Sequence, residues 1–147
     1  MKKVKLAVVG VGNCASSLIQ GIEYYEHHHN EHSDGIMQPQ INGWRPQDIK
    51  IVAAFDIDKR KVGLPVAKAI FAEPNCTTVF QKVIPVNGVG VKMGPVLDGM
   101  ADHMKEYPES QSFRVADEKP VNVVEELKSS GAEVMVCYLP VGSQKAV

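Results

Sequence analysis

Residues 4–15 have the sequence VKLAVVGVGNCA, in which a short apolar run passes directly into a glycine turn. The run from Val4 to Val9 is rich in β-branched residues, which is typical of a strand buried on both faces of a parallel sheet. From Asn13 to Tyr25, apolar residues recur at helical spacing with polar residues between them. The segment therefore predicts a strand, a glycine turn and a helix in immediate succession.

The turn, from Gly10 to Ala15, matches the pattern G-x-G-x-x-A. Gly10 permits the tight turn, Gly12 leaves no side chain between the backbone and a diphosphate, and the small Ala15 lets the helix approach the strand. Backbone N–H groups at the start of the helix then face the phosphate charge. Because the motif stands between a predicted strand and a predicted helix, we expect it to bind a dinucleotide and not to be a merely structural turn.

A second apolar run, from Ile49 to Phe55, predicts a parallel strand that ends at Asp56. A carboxylate at this point accepts hydrogen bonds from the adenosine ribose hydroxyls and repels a 2′-phosphate, which favours NAD over NADP. Asp56 lies 44 positions after Gly12, whereas the usual spacing is ~20, and an inserted loop accounts for the difference. Asp58 is the competing acid, with a helix N-cap as its structural alternative. We favour Asp56 because it ends the strand directly, and Arg60 keeps NADP open as a minor alternative.

The inserted loop is expected at about residues 26–48, where no helical or strand period is sustained. Four closely spaced histidines belong to it: His27, His28, His29 and His32. They suggest a metal site, but the cluster has no nearby cysteine and no carboxylate at fixed helical spacing. We therefore expect solvated histidines that bind metal only adventitiously, and no physiological metal site.

The remainder of the chain predicts further strands and helices, separated by segments rich in glycine and proline. Lys59 to Phe71 is predicted to be helical, firmly so only after Leu64, because Gly63 and Pro65 interrupt its beginning. The later predictions are a strand at Thr78 to Val83, a glycine-rich loop at Pro85 to Gly99, a short helix at Met100 to Tyr107, a helix at Pro120 to Ser129 that Gly131 ends, and a buried strand at Val134 to Leu139. Together they predict an α/β fold with a Rossmann-type, doubly wound parallel sheet.

Composition narrows the classes of partner. The chain has 147 residues, of which 44% are hydrophobic and 22% charged, with a formal net charge of -1. These values describe one globular domain and give no electrostatic reason to expect nucleic acid or a membrane surface. Three cysteines without paired spacing are typical of a reducing compartment, so we expect a cytoplasmic protein.

Because the sequence stops where a doubly wound sheet would continue, we expect a sheet that is incomplete at its C-terminal end and a longer parent protein.

Four motifs, in order, resemble those of the prokaryotic myo-inositol-1-phosphate synthases, which are also called inositol-3-phosphate synthases. The motifs are GVGNCASSL at 10–18, VAAFDID at 52–58 with KVG at 61–63, KMGPVLDG at 92–99, and YLPVGS at 138–143. They spread over essentially the whole chain, which makes the resemblance much more specific than the glycine turn alone. The resemblance implies that the chain is the amino-terminal, NAD-binding portion of such an enzyme.

The activity that the resemblance implies is conversion of glucose 6-phosphate to 1D-myo-inositol 3-phosphate by oxidation with bound NAD+, aldol cyclisation and reduction. It also implies that the pyrophosphate lies against Gly10, Gly12, Asn13 and Cys14, the adenosine ribose against Asp56, and the cofactor near Tyr138 and Ser143. In that family the catalytic lysines and most tetramer contacts lie in a later domain. No catalytic residue is therefore expected in this chain, which should be inactive alone, and the implied partners are the substrate and further copies of the protein.

Two other functions remain open from the residues. One is a non-catalytic dinucleotide-binding module, and the other is a different NAD-dependent dehydrogenase that shares only the first two motifs. Apart from the resemblance, Tyr138 is equally well explained as a core residue at the end of a strand. Cys14, at a helix N-terminus, is explained more simply by packing under the turn than as a reactive thiol.

Overall fold

A computed structural model describes residues 2–28, 35–85 and 88–147. Its four strands form one parallel sheet in the order β3-β2-β1-β4. The strands are β1 (Val4–Val9), β2 (Ile49–Asp56), β3 (Val91–Met93) and β4 (Val134–Cys137), and the α-helices are α1 (Asn13–His27), α2 (Val66–Ala69) and α3 (Val123–Ser130). The fold is therefore the predicted Rossmann-type α/β sheet.

Strand β1 lies inside the sheet because its side chains are apolar on both faces. Leu6 and Val8 belong to the core cluster that α1 and α2 cover, together with Ile19 of α1. Ala7 points the other way, as successive strand residues do, and belongs to a smaller cluster against which Leu127 of α3 packs. Helices thus cover both faces of the sheet, which is the doubly wound arrangement.

The ends of the helices follow local capping rules. Helix α1 runs two residues past its predicted end at Tyr25, as far as His27. Helix α3 begins after Asn122, whose side chain accepts the backbone N–H of Glu125. It ends at Gly131 in the left-handed conformation, with φ of 65°, which confirms the predicted stop.

The predicted strand at Thr78 to Val83 is wrong. This segment has no regular secondary structure, because the buried side chain of Gln20 satisfies its backbone groups in place of a neighbouring strand. The Gln20 oxygen accepts the N–H groups of Phe80 and Gln81 at 3.0 and 3.1 Å, and its amide nitrogen donates to the Thr78 carbonyl at 3.4 Å. The third strand is instead β3, inside the predicted glycine-rich loop, where it pairs with β2.

Three other elements differ from their predictions in length or burial. Only α2 is helical within the predicted helix Lys59 to Phe71, because residues 59–64 form turns before Pro65. A 3₁₀ helix at Asp102–Glu106 replaces the predicted short helix. Strand β4 lies at one edge of the described sheet, so Val134 and Met135 are 48% and 45% exposed and the predicted burial is wrong for them.

We expect the α1 face of the sheet to carry much of the stability. Ile19 is 1% exposed within this core, whereas Ile41 is 62% exposed in the loop before β2. Ile19→Ala should lower the free energy of unfolding by about 2–5 kcal/mol, because it removes buried methylenes and leaves a cavity. Chemical denaturation monitored by circular dichroism measures this loss, and Ile41→Ala is the matched control. Equal losses in the two variants would contradict the assigned core.

Candidate functional site

A cleft of about 720 Å³ opens at the carboxyl ends of the strands, which is the edge where open α/β sheets hold ligands. Each strand contributes the residues that follow it, and segments around Asn75, Ser112 and Ala146 close the sides. The lining includes Gly10, Gly12 and Asn13 after β1, Asp56, Ile57 and Lys61 at and after β2, Gly94 to Leu97 after β3, Tyr138 to Pro140 after β4, and Pro74 to Cys76 from the first of these segments. The fold thus brings the predicted glycine turn and the predicted acid to one cavity.

The two glycines of the turn are needed for different reasons. Gly10 has a φ of +85°, and a Cβ there would lie 3.2 Å from the backbone carbon and oxygen of Tyr138. Gly12 borders the cleft, and a Cβ there would meet no atom within 4 Å. Helix α1 begins at this point without a side-chain cap, so its first N–H groups are of the kind that bind anions at helix N-termini. The space before Gly12 suits a phosphate in close backbone contact.

Asp56 connects the end of β2 to the glycine turn. Its Oδ2 accepts the N–H of Val11 at 2.7 Å, and its Oδ1 accepts the N–H groups of Ile57 and Asp58 at 2.7 and 2.8 Å. A carboxylate has about four lone-pair sites, so these three bonds leave one on Oδ2. Asp56 therefore has a structural function in the turn and retains the capacity to accept one further hydrogen bond.

Asp58, the competing acid, is fully buried and bound to Arg60. The Arg60 guanidinium donates to both carboxylate oxygens, at 3.1 and 2.8 Å, and also to the carbonyls of Glu109 and Ser112. The hydrogen bond to Asp58 raises the pKa of Arg60. Neither side chain borders the cleft, so this pair fastens the segment around Ser112 to the end of β2. The geometry favours Asp56 over Asp58 as the ligand-facing acid.

The other predicted cofactor residues differ in how they meet the cleft. Asn13 borders it, but its side-chain oxygen accepts the N–H groups of Cys76 and Thr77 at 2.8 and 3.1 Å, so Asn13 ties a loop to the start of α1. Tyr138 borders the cleft and also packs against the core cluster on the α1 face, which supports its alternative interpretation as a core residue. Burial raises the pKa of its phenol. Cys14 and Ser143 do not border the cleft. Cys14 is exposed and, with Tyr138, lines a second, apolar groove beside α1, so its predicted packing under the turn is wrong. Ser143 is 4% exposed.

Several polar residues of the cleft were not predicted as site residues, and two of them, Lys61 and Asn75, are joined by a hydrogen bond. Lys61 is only 3% exposed, and its ammonium donates to the side-chain oxygen of Asn75 at 2.8 Å. Burial lowers the pKa of Lys61, while the charges of Asp56 and Asp58 oppose that shift. Lys61 falls within a motif that resembles the synthases, but its spacing did not indicate burial. No sequence pattern marks Asn75.

The histidine cluster is described only in part. His27 belongs to α1 and not to the predicted loop, and it lies 3.0 Å from Glu23, four positions earlier, so the predicted lack of a carboxylate at helical spacing is wrong for His27. His28 stacks on Tyr24, whereas His29 and His32 lie outside the described residues. Within residues 2–28, 35–85 and 88–147, no group of three or more histidine, cysteine or acidic side chains is arranged to hold a metal ion. In the same part of the chain, no helix is both long and apolar enough to cross a bilayer.

The parallel sheet, with a glycine turn and an acid at its carboxyl edge, defines an α/β protein of the Rossmann type. A search with protein-family models gives no match. An inositol-3-phosphate synthase from Mycobacterium tuberculosis, however, is 42% identical over 145 residues, which are 98% of this chain and 38% of that relative. The resemblance to inositol-3-phosphate synthases is thus confirmed over nearly the whole chain, and the chain spans about 38% of the length of such relatives.

Solved structures support the same fold. A crystal structure of a protein named Ari2 superposes with a TM-score of 0.74 at 33% identity, covering 99% of this chain and 40% of that one. A myo-inositol-1-phosphate synthase-related protein from Thermotoga maritima superposes with a TM-score of 0.67 at 17% identity. The superposition covers 93% of this chain and 34% of the Thermotoga maritima chain. At that identity the second likeness concerns the fold alone.

The close approach of β4 to the glycine turn predicts a stability difference between two glycine variants. Gly10→Ala combines a positive φ with a contact at 3.2 Å to the Tyr138 backbone, whereas Gly142→Ala combines a φ of +101° with open space. Both should lose about 1–2 kcal/mol for the left-handed backbone, and Gly10→Ala should lose more because the backbone must shift. Thermal unfolding of the two variants measures the difference. A smaller loss for Gly10→Ala than for Gly142→Ala would contradict the packing of the turn.

Proposed function

We propose that this chain binds NAD in the cleft at the carboxyl edge of its sheet. The observation that carries the proposal is the open glycine turn: Gly12 presents backbone without a side chain to the cleft, at the start of α1, with Asp56 beside it. The diphosphate would lie against this turn, where N–H groups and the helix dipole favour negative charge. The similarity to inositol-3-phosphate synthases supports a nucleotide cofactor independently of this geometry.

Asp56 is the proposed partner of the adenosine ribose. Since three of its lone-pair sites are used by backbone N–H groups, it would accept a hydrogen bond from one ribose hydroxyl and not from both. Its charge would repel the 2′-phosphate of NADP. Arg60, the residue that could have favoured NADP, already donates to Asp58 and to two carbonyls. This arrangement supports NAD as the cofactor.

The remaining predicted cofactor residues take more limited parts in the proposal. Tyr138 would border the cofactor where β4 ends, beside Gly10. Asn13 would shape the pyrophosphate site by holding Cys76 and Thr77 over the start of α1. Cys14 would contribute its backbone N–H in the first turn of the helix. Ser143, which is buried, would support the loop after β4, where its carbonyl accepts the N–H groups of Ala146 and Val147.

We propose further that the parent protein converts glucose 6-phosphate to 1D-myo-inositol 3-phosphate. The names of its relatives support the product, and the resemblance of the four sequence motifs implies the substrate. NAD, when bound, supplies reversible hydride transfer for the oxidation and reduction that this isomerisation needs. In this proposal the residues assigned above bind and orient the cofactor, and none of them is assigned a proton transfer. The chain would therefore supply the cofactor half of the site, and catalytic side chains would come from elsewhere in the parent protein.

The setting proposed for the protein is the cytoplasm, as part of a homo-oligomer. All three cysteines are free thiols in the structure, which is compatible with a reducing compartment. The partners proposed are a small-molecule substrate and further copies of the same protein.

Cofactor binding is tested by isothermal titration of the purified chain with NAD+. We expect saturable binding by the wild type and loss of at least about tenfold in affinity in Gly12→Ala, because the added methyl would occupy the space for the diphosphate. The fold should tolerate this change, since a Cβ at Gly12 meets no atom within 4 Å. Gly90→Ala is the control, because its Cβ also meets no atom and it lies outside the cleft. Wild-type binding that Gly12→Ala leaves unchanged would place the cofactor elsewhere.

Cofactor selectivity tests Asp56. NADP+ should bind the wild type at least about tenfold more weakly than NAD+, which corresponds to about 1.4 kcal/mol. Asp56→Asn should narrow this difference by removing the repelling charge, whereas Asp117→Asn, on the exposed surface, should leave it unchanged. Titration of both cofactors against the three proteins gives the comparison. A preference for NADP+ in the wild type would refute the assigned role.

A further inference from the structure

Two side chains outside the predicted site meet beneath the glycine turn. Lys61, on the turn after β2, donates from its ammonium to the Asn75 side-chain oxygen at 2.8 Å. The Asn75 amide nitrogen donates to the carbonyl of Val11 at 3.1 Å and to that of Ile70 at 3.0 Å. Val11 is the residue between the two glycines, so this chain of hydrogen bonds ends in the middle of the turn.

The same residue is held from its other side by Asp56, which accepts the Val11 N–H at 2.7 Å. The N–H and the carbonyl of Val11 belong to different peptide groups, so the two contacts fix both peptides between Gly10 and Gly12. Because a trans peptide directs its N–H opposite to its carbonyl, holding the Val11 carbonyl also sets the direction of the Gly12 N–H. The orientation of the turn is therefore determined before any ligand arrives.

Lys61 and the two carbonyls require the same orientation of the Asn75 amide, which Lys61 therefore reinforces. An ammonium has donors and no acceptor, whereas an amide group has one acceptor end and one donor end. The Asn75 oxygen must therefore face Lys61, which leaves the amide nitrogen for the two carbonyls. Burying an ammonium costs free energy unless it is hydrogen-bonded, and Lys61 is 3% exposed with Asn75 as its hydrogen-bond acceptor.

We propose that Lys61 and Asn75 are a positioning pair for the cofactor site, which holds the Val11 peptide so that the glycine turn is preformed for a dinucleotide diphosphate. The proposal rests on the function proposed above. Both residues also border the cleft, and the proposal assigns them an effect through the turn and not a contact with the cofactor. Lys61 acts by anchoring the Asn75 side chain through its oxygen, so the effect of removing Lys61 depends on the presence of Asn75.

A double-mutant cycle tests this dependence with Lys61→Met, Asn75→Ala and the double variant. Methionine matches the length of lysine and removes the donor, and Lys68→Met, on the exposed side of α2, is the matched control. Three quantities are measured on each protein: turn exchange, which is the amide hydrogen exchange of Val11 without ligand, and the dissociation constants for NAD+ and for adenosine. Exchange of core amides in β1 and the thermal midpoint report any global loss of structure.

We expect each single variant to speed turn exchange and weaken NAD+ binding by about tenfold, with the double variant no worse than Asn75→Ala. Binding of adenosine, which lacks the diphosphate, should change less than about threefold. Additive losses of NAD+ affinity with unchanged turn exchange would overturn the proposal, because they would indicate direct contact between Lys61 and the cofactor. Should Asn75→Ala not fold, turn exchange in Lys61→Met decides alone.

The two proposals fail in different ways. Absence of NAD+ binding by the wild type would refute the proposed function and with it the role of the pair in a cofactor site, yet faster turn exchange in Lys61→Met would still support the effect of the pair on the turn. Wild-type binding together with unchanged turn exchange and affinity in both single variants would refute the positioning pair and leave the proposed function standing.

Discussion

The hydrogen bond from the Val11 N–H to Asp56 joins the ends of two adjacent parallel strands, and the site depends on it. The glycine turn follows β1, and the acid ends β2. The parallel pairing of these strands brings the Val11 nitrogen to 2.7 Å from the Asp56 Oδ2, although the two residues are 45 positions apart in the chain. The pairing is in turn fixed by burial: β1 is covered by α1 and α2 on one face and by α3 on the other. The core thus positions the two residues that the function needs close together.

This constraint also makes Asp56 a residue with two functions. It supports the backbone of the turn through three N–H groups, and the same carboxylate borders the cleft. Asp58, two positions later, is buried against Arg60 and serves only the framework. The two acids, two positions apart, thus differ in function because their side chains meet different partners.

Much of the first half of the fold could be predicted because its signals are local. The apolar run of β1, the glycines after it and the helical spacing of α1 all lie within one continuous stretch, and β2 repeats the strand signal. The prediction of a strand at Thr78 to Val83 was wrong because the β-branched composition of this segment is typical of a strand. Its backbone N–H groups instead donate to Gln20, some 60 positions earlier in the chain. Strand β3 was missed because its three residues lie among glycines. In the site, Gly12 and Asp56 follow from strand order, whereas the contact between Asn75 and Val11 spans 64 positions without a sequence signal.

The most direct test of the central claim is a crystal structure of this chain with NAD bound. We expect the diphosphate to lie against the backbone of Gly12 at the start of α1. One adenosine ribose hydroxyl should lie within hydrogen-bonding distance of the free lone pair of Asp56. A dinucleotide bound away from the glycine turn, or a turn whose peptides have rotated out of contact with Asp56, would contradict it.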